Sequence, residues 1–154
     1  LARKILVVDL DVHQGNGTAE IFENDPRVFT FSMHGAKNYP MQKENSDLDI
    51  ALEDGTTDKI YLHLLEKNLH TLLNEVEPDF IFFQSGVDIL ETDKLGRLSV
   101  TLEGCKHRDR LVLELAHENK IPIVASMGGG YSEDINIIVE AHANTYRQAQ
   151  DIYF

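Results

Sequence analysis

The sequence is poor in cysteine, in basic residues and in long apolar runs. Cys105 is the only cysteine among 154 residues. No disulfide can form within the chain, and a reducing compartment suits it. Lysine and arginine total 14 against 26 aspartates and glutamates, a formal net charge of −12. That balance argues against nucleic acid as a partner, because phosphate binding calls for basic patches. It tolerates, and can attract, cationic ligands. No run of about 18 apolar residues occurs, so no helical membrane span is expected. No Walker pattern and no GxGxxG occur, so a phosphate-cradling loop is not expected. Repeats and low-complexity stretches are missing, and no signal-peptide pattern opens the sequence. A cytoplasmic setting is expected, or a nuclear one in a eukaryote.

What is present fits one α/β domain. Hydrophobic residues make up 42% of the chain, enough for a real core. Four apolar β-rich runs stand out: Lys4 to Leu10, Arg27 to His34, Phe80 to Gly86 and Ile121 to Gly129. Each has the continuous apolar character of a strand covered on both faces. Helical spacing fills the intervals. Leu62, Leu65, Leu69, Leu72 and Val76 form one stripe within Asp58 to Glu77. Leu111, Val112, Leu115 and Ala116 do so within Thr101 to Asn119, and Ile135, Ile138, Val139, Tyr146, Ala149 and Ile152 within Ser132 to Phe154. Strands alternating with helices predict a parallel sheet. His34 to Thr57 reads as one long polar loop, of a length that is usually functional or mobile. The sequence opens on Leu1 with an apolar run almost at once. The expectation is a piece of a larger domain, incomplete on its N-terminal side.

Every predicted strand ends in polar or flexible residues: "DLDVH", "SMHG", "QSGVD" and "GGGYS". Ligands of open parallel sheets sit beyond the carboxyl ends of the strands, so these ends are expected to share one rim. Asp9, Asp11 and His13 recur at every second position and share a face if the extended conformation continues. Asp11 and His13 can reach one ion, and Asp88, two residues past Gly86, is the natural third ligand. Two carboxylates and one imidazole suit a divalent metal and leave a position open. The competing reading is that Asp11 caps a turn and His13 makes one hydrogen bond. Asp9, one step deeper, either orients a histidine or helps to hold a monovalent cation, with Ser32 beside it. Tyr131, after three glycines, either projects its phenol toward the same rim or packs as an ordinary core residue.

Taken in order, "VDLDVHQGNGT", "FSMHGAKNYP", "QSGVDILETDKLGRLSVT" and "GGGYS" resemble the zinc-dependent histone deacetylase family over nearly the whole chain. The "HQGNG" form, with Gln14 and Asn16, is most similar to the class IV branch and its bacterial relatives. The resemblance implies an arginase/deacetylase-like α/β fold: a three-layer parallel β-sheet with flanking helices. Residues 1–154 would be the C-terminal portion of that catalytic domain. It implies Asp11, His13 and Asp88 as ligands of Zn²⁺, with Fe²⁺ as the alternative, since both metals accept imidazole and carboxylate. It implies Tyr131 as the tyrosine that polarises the acetyl carbonyl. Asp9 and Ser32 would bind a structural K⁺ with the backbone carbonyls of Asp11, His13 and Met33. Leu95 and Gly129 would line the acyl-lysine tunnel. The substrate would be an acetylated lysine peptide or a small acetylated amine such as a polyamine.

Two departures from the family pattern matter, of which the first, also found in other branches, is not read as inactivating. Asn16 stands where many members carry an aspartate, and it weighs against arginase-type sites that need extra acids for two metals. The family's paired histidines, its general base and acid, have no counterpart, since no "HH" occurs. His34, His63, His70 and His107 are expected in a loop or on polar helix stretches, and His117 and His142 on helix faces. One function class is therefore a metal-dependent amide hydrolase. The other is a catalytically incomplete metal-binding module. An arginase-like hydrolase is the third. The apolar surface left by an incomplete sheet predicts association with another chain or copy.

Overall fold

In the computed structural model, which describes residues 2–154, five parallel strands form one sheet accompanied by four helices. The order is β1 (Ile5–Asp9), α1 (Asn16–Phe22), β2 (Val28–Gly35), β3 (Leu48–Leu52), α2 (Asp58–Val76), β4 (Phe80–Gly86), α3 (Leu102–Glu118), β5 (Ile123–Gly128) and α4 (Ile135–Tyr153). Across the sheet the strands lie in the order β3-β2-β1-β4-β5. The chain steps outward from β1 through β2 and β3. It then returns to lay β4 on the other side of β1. The order reverses between β1 and β4, which is where an open α/β sheet forms its ligand crevice.

Alternation along the strands builds the core. Leu6, Val8, Leu10 and Val12 are all fully buried, so the inward parity of β1 persists beyond its last residue. They meet Phe31 and Met33 of β2, Ile81 and Phe83 of β4, and Tyr61, Leu65, Leu69 and Leu72 of α2. Those four α2 residues step by four, four and three, one helical stripe. The helix stops at Glu77, a left-handed residue whose N–H bonds the Leu73 carbonyl, and Pro78 follows. The α3 helix starts on Thr101, whose side chain accepts from Gly104 N at 3.0 Å. Asp58, in the first turn of α2, accepts from Thr101 N and Oγ1 at 2.8 and 2.6 Å, tying the two helix starts together.

The two faces of the sheet are unequally covered. The α2 and α3 helices pack on the Leu6–Val8 face, with Ile137, Ile138 and Ala141 of α4 joining the same core. On the other face Thr18 and Phe22, from the α1 segment, line a cavity of about 440 Å³ with Ile5, Val7 and Phe82. Phe82 and Val124 remain 44% and 49% exposed there. No described helix is long and apolar enough to cross a membrane.

Four local expectations are corrected. His34 to Thr57 is not one loop: β2 runs on to Gly35, and Leu48–Leu52 forms the edge strand β3. His34 is therefore a strand residue, only 1% exposed, rather than a loop histidine. A short helix, α1, begins within "QGNG" at Asn16, in a stretch to which the sequence assigned no helix. In α4 the predicted apolar stripe is split: Ile135, Val139 and Tyr146 are 63%, 58% and 47% exposed, whereas Ile138 packs against the core. The buried residues of α4 are Ala141, Asn144, Thr145 and Gln148, and two of these polar side chains, Thr145 and Gln148, bond to α3. Thr145 Oγ1 donates to Asp109 at 2.7 Å and Gln148 accepts from Arg110 at 3.2 Å.

Candidate metal centre

The carboxyl end of β1 turns on its own side chains. Asp9 Oδ1 accepts from Asp11 N at 3.1 Å, and Asp11 Oδ1 accepts from His13 N at 2.9 Å. Two successive aspartate turns of this kind replace the ladder bonds that end with the strand. With Leu10 and Val12 drawn into the core, Asp9, Asp11 and His13 are left on the opposite side. Asp88 arrives from the loop after β4, the next strand in the sheet. Its Oδ1 accepts from Val12 N at 2.9 Å, which fastens that loop to the β1 segment.

His13 Nδ1 then lies 3.0 Å from Asp11 Oδ1 and 3.2 Å from Asp88 Oδ2. Its hydrogen bond goes to Asp11. Asp88 Oδ2 is buried with no hydrogen-bond partner. Ligand-type atoms of Asp11, His13 and Asp88 all lie within 4.8 Å of one another. An orphaned carboxylate oxygen inside a protein is costly unless a cation satisfies it. Two carboxylates and an imidazole are the donors zinc or iron takes, and three protein ligands leave a position for water or substrate. The donor set fits one divalent ion. These are the residues the sequence singled out, and the switch point between β1 and β4 is what joins them.

The electrostatics are those of a crowded acidic site. The carboxylates of Asp11 and Asp88, 3.0 and 3.2 Å from its Nδ1, push the His13 imidazole up to about 10. Burial pulls the Asp11 carboxyl upward, but the His13 hydrogen bonds outweigh it and hold that group below the usual range. Burial keeps Asp88 above it. Asp9 is pushed up to about 7 by burial, against the bond from Asp11 N–H, with the charges of Asp11 and Asp88 adding to the rise. Asp9 lies directly opposite Ser32 in the β1–β2 register. Ser32 Oγ is 3.0 Å from His34 Nδ1 and accepts from Gly15 N at 3.4 Å.

Leu95, Gly129 and Tyr131 belong to two loops that one residue joins. Asp93 Oδ1 accepts from Leu95 N and Gly96 N, both at 2.8 Å, and its Oδ2 accepts from Tyr131 N at 2.7 Å. Thr92 Oγ1 and Ser132 Oγ add a contact at 2.7 Å. Leu95 and Tyr131 are 54% and 48% exposed, so Tyr131 is not a core residue. The sequence reading missed Asp93. Its only local signal is an aspartate two residues before Leu95, the spacing of an aspartate turn.

Glycine is required where the end of β5 meets Asp88. Gly129 has φ +59°, and a Cβ there would collide with the Asp88 carboxylate. Gly129→Ala would strain the backbone by about 1 kcal/mol or more and push Asp88 aside. Divalent-metal affinity is expected to fall at least ~10-fold, the scale seen when ligand support is lost. Chelator competition on the purified variant measures it, and unchanged affinity would show that the Asp88 position does not matter.

Comparison with known proteins follows the same outline. A family model described as the histone deacetylase domain matches residues 1–146. An uncharacterised protein of Picosynechococcus sp. is 48% identical over 153 residues, covering 99% of this chain and 51% of that protein. Histone deacetylase 2 of Arabidopsis thaliana is 32% identical over 149 residues, covering 94% of this chain and 38% of that protein. The solved acetylpolyamine aminohydrolase of Burkholderia pseudomallei superposes with a TM-score of 0.80 at 23% identity, covering 98% of this chain and 46% of that one. The chain thus spans about half the length of these relatives or less.

Proposed function

Because the chain belongs to the histone deacetylase family, we propose that it carries the metal-holding part of an enzyme that hydrolyses N-acetyl amides, acting on acetyl-lysine in proteins or on acetylated polyamines. The observation that carries this reading is the convergence of Asp11, His13 and Asp88, with a buried Asp88 Oδ2 that makes no hydrogen bond and has only the His13 imidazole beside it. A zinc or iron ion bound by these residues supplies Lewis-acid polarisation of the amide carbonyl and acidifies a water molecule. Asp11, His13 and Asp88 hold that ion and keep its remaining positions open. Tyr131 donates its phenolic hydrogen to the carbonyl oxygen as negative charge develops there. Leu95 and Gly129 line the approach for the acyl-lysine chain. Asp9 and Ser32, neighbours in register, hold a potassium ion with the carbonyls of Asp11, His13 and Met33. That ion offsets the cost of burying the Asp9 charge.

Among the described residues one cluster of metal-ligand type is assembled, which supports a single-metal site over an arginase-like pair. Proton transfer to and from the reacting groups calls for a general base and acid worth about 10²–10⁴-fold in rate. The 154 residues contain no adjacent histidine pair to supply them. Residues 1–154 alone are therefore expected to be nearly inactive even with metal bound. The test is turnover of fluorogenic acetyl-lysine and of acetylated polyamine by the full-length gene product, with and without a chelator. Chelation should abolish turnover and zinc or ferrous ion should restore it. Turnover indifferent to chelation would refute the reading.

A further inference from the structure

The candidate metal centre is braced from inside by a charged residue that the proposed chemistry does not use. Arg108 lies mid-way along α3 with 0% exposure. Its guanidinium reaches the carboxyl ends of two neighbouring strands. Nη1 donates to the Leu10 carbonyl at 3.1 Å and Nη2 to the Gly86 carbonyl at 3.0 Å. Leu10 immediately precedes Asp11, and Gly86 stands two residues before Asp88. One planar fork thus spans the switch point and grips both segments that carry the three ligands.

The fork is itself fixed. Nε lies 2.6 Å from Asp109 Oδ1, and Asp109 Oδ2 accepts from Thr145 Oγ1 of α4 at 2.7 Å. The guanidinium carbon sits 5.6 Å from the Phe83 ring centroid, and Nη2 donates to Cys105 Sγ at 3.3 Å. Asp109 and Thr145 are as fully buried as Arg108. The α4 helix also brings His142 Nε2 to 3.4 Å from the Gly129 carbonyl, so the glycine loop touches the same helix.

Stability alone is a poor reason for this arrangement. A buried ion pair loses so much hydration that well-packed apolar residues often match or exceed it. Bridging two carbonyls on different strands is something a rigid two-pronged donor does and an apolar side chain or a lysine does not. We propose that Arg108 is a positioning residue for the metal centre: its guanidinium, fixed by Asp109, sets the spacing between the Asp11–His13 segment and the Asp88 segment. The inference rests on the metal reading given under Proposed function. Arg108 touches neither metal nor substrate and acts through the backbone of the ligand segments.

The test uses the full-length protein with two variants, Arg108→Lys and the double variant Arg108→Met/Asp109→Asn. Zinc affinity is read by chelator competition, ligand geometry by the visible absorption of the Co²⁺-substituted protein, and folding by circular dichroism and Tm. The double variant removes both buried charges together and is expected to keep a wild-type-like Tm. It should nevertheless lose about 10–100-fold in zinc affinity, the range for residues that support metal ligands from outside, and its cobalt spectrum should change. Arg108→Lys keeps a charge beside Asp109 but cannot reach both carbonyls, so it should show an intermediate loss. Folded variants with zinc affinity and cobalt spectra indistinguishable from wild type would overturn the proposal. So would failure of both variants to fold, which would make Arg108 a requirement of the fold rather than of the site. A wild-type protein that binds zinc no better than its Asp88→Asn variant would instead overturn the metal reading itself.

Discussion

Asp88→Asn is expected to strip the full-length protein of tightly bound zinc and to lower deacetylation by about 10³-fold or more. The carboxylate is 0% exposed and reaches the site from a different strand than Asp11 and His13. Oδ1 is occupied by Val12 N–H at 2.9 Å, which leaves Oδ2 as the oxygen free for a cation. Asparagine keeps the size, and its carbonyl can still accept from Val12. What then points into the site is an uncharged amide. Two carboxylates neutralise a divalent ion, whereas one leaves a net positive charge in a poorly hydrated place. A loss of about 4 kcal/mol in stabilising the reaction corresponds to about 10³-fold in rate. The metal-free variant should fold at least as well as wild type. Burial holds the Asp88 carboxyl above its usual range, so the folded protein already disfavours that charge, and the neutral isostere removes the conflict. Metal analysis, chelator competition and thermal denaturation separate these effects. Stoichiometric zinc with turnover within tenfold of wild type would disprove the role of Asp88.

Much of this site could be read before the structure, and the reasons differ from residue to residue. β1, β2, β4 and β5 announce themselves as apolar runs because parallel strands buried on one or both faces need them. Asp11, His13 and Asp88 sit just past such runs, where side chains are free for chemistry. Edge strand β3 was hidden because its five residues contain Asp49, are flanked by Asp47 and Glu53, and bury only Leu52 fully. The α1 helix was hidden because seven residues opening on Asn-Gly, with Ala19 alone buried, carry no helical stripe. In α4 periodicity placed Ile138 correctly but not Ile135 and Val139, since hydrogen bonds from Thr145 and Gln148 to α3 help decide which side is covered. Arg108 is the instructive miss. Within "KHRDR" it reads as part of a solvated charge run. It nevertheless falls in helical step with Cys105, Val112 and Leu115, all buried. A charge at core spacing was the available signal, and only a partner for it, here Asp109 and two strand-end carbonyls, distinguishes a buried guanidinium from an exposed one.

Tyr131→Phe should leave zinc binding intact and lower kcat about 10²–10³-fold, the usual cost of removing one donor to a developing oxyanion. The substitution deletes a single oxygen from a side chain 48% exposed and not part of the core. Stability should therefore change by no more than about 0.5 kcal/mol. The backbone at this position is fixed by Asp93, which accepts from Tyr131 N at 2.7 Å, and the ring can occupy the same place in either variant. Because the donor matters as the carbonyl gains charge, and little to the bound amide, KM should move far less than kcat. That pattern would separate the phenol from the proposed metal ligands, whose loss should remove zinc as well as rate. It also separates it from Asp93, whose replacement would free both the Leu95 and the Tyr131 loops and so disturb KM and kcat together. A phenylalanine variant within threefold of wild-type kcat would show that the phenol supplies no such hydrogen bond. The charge on the carbonyl oxygen would then have to be met at the metal alone.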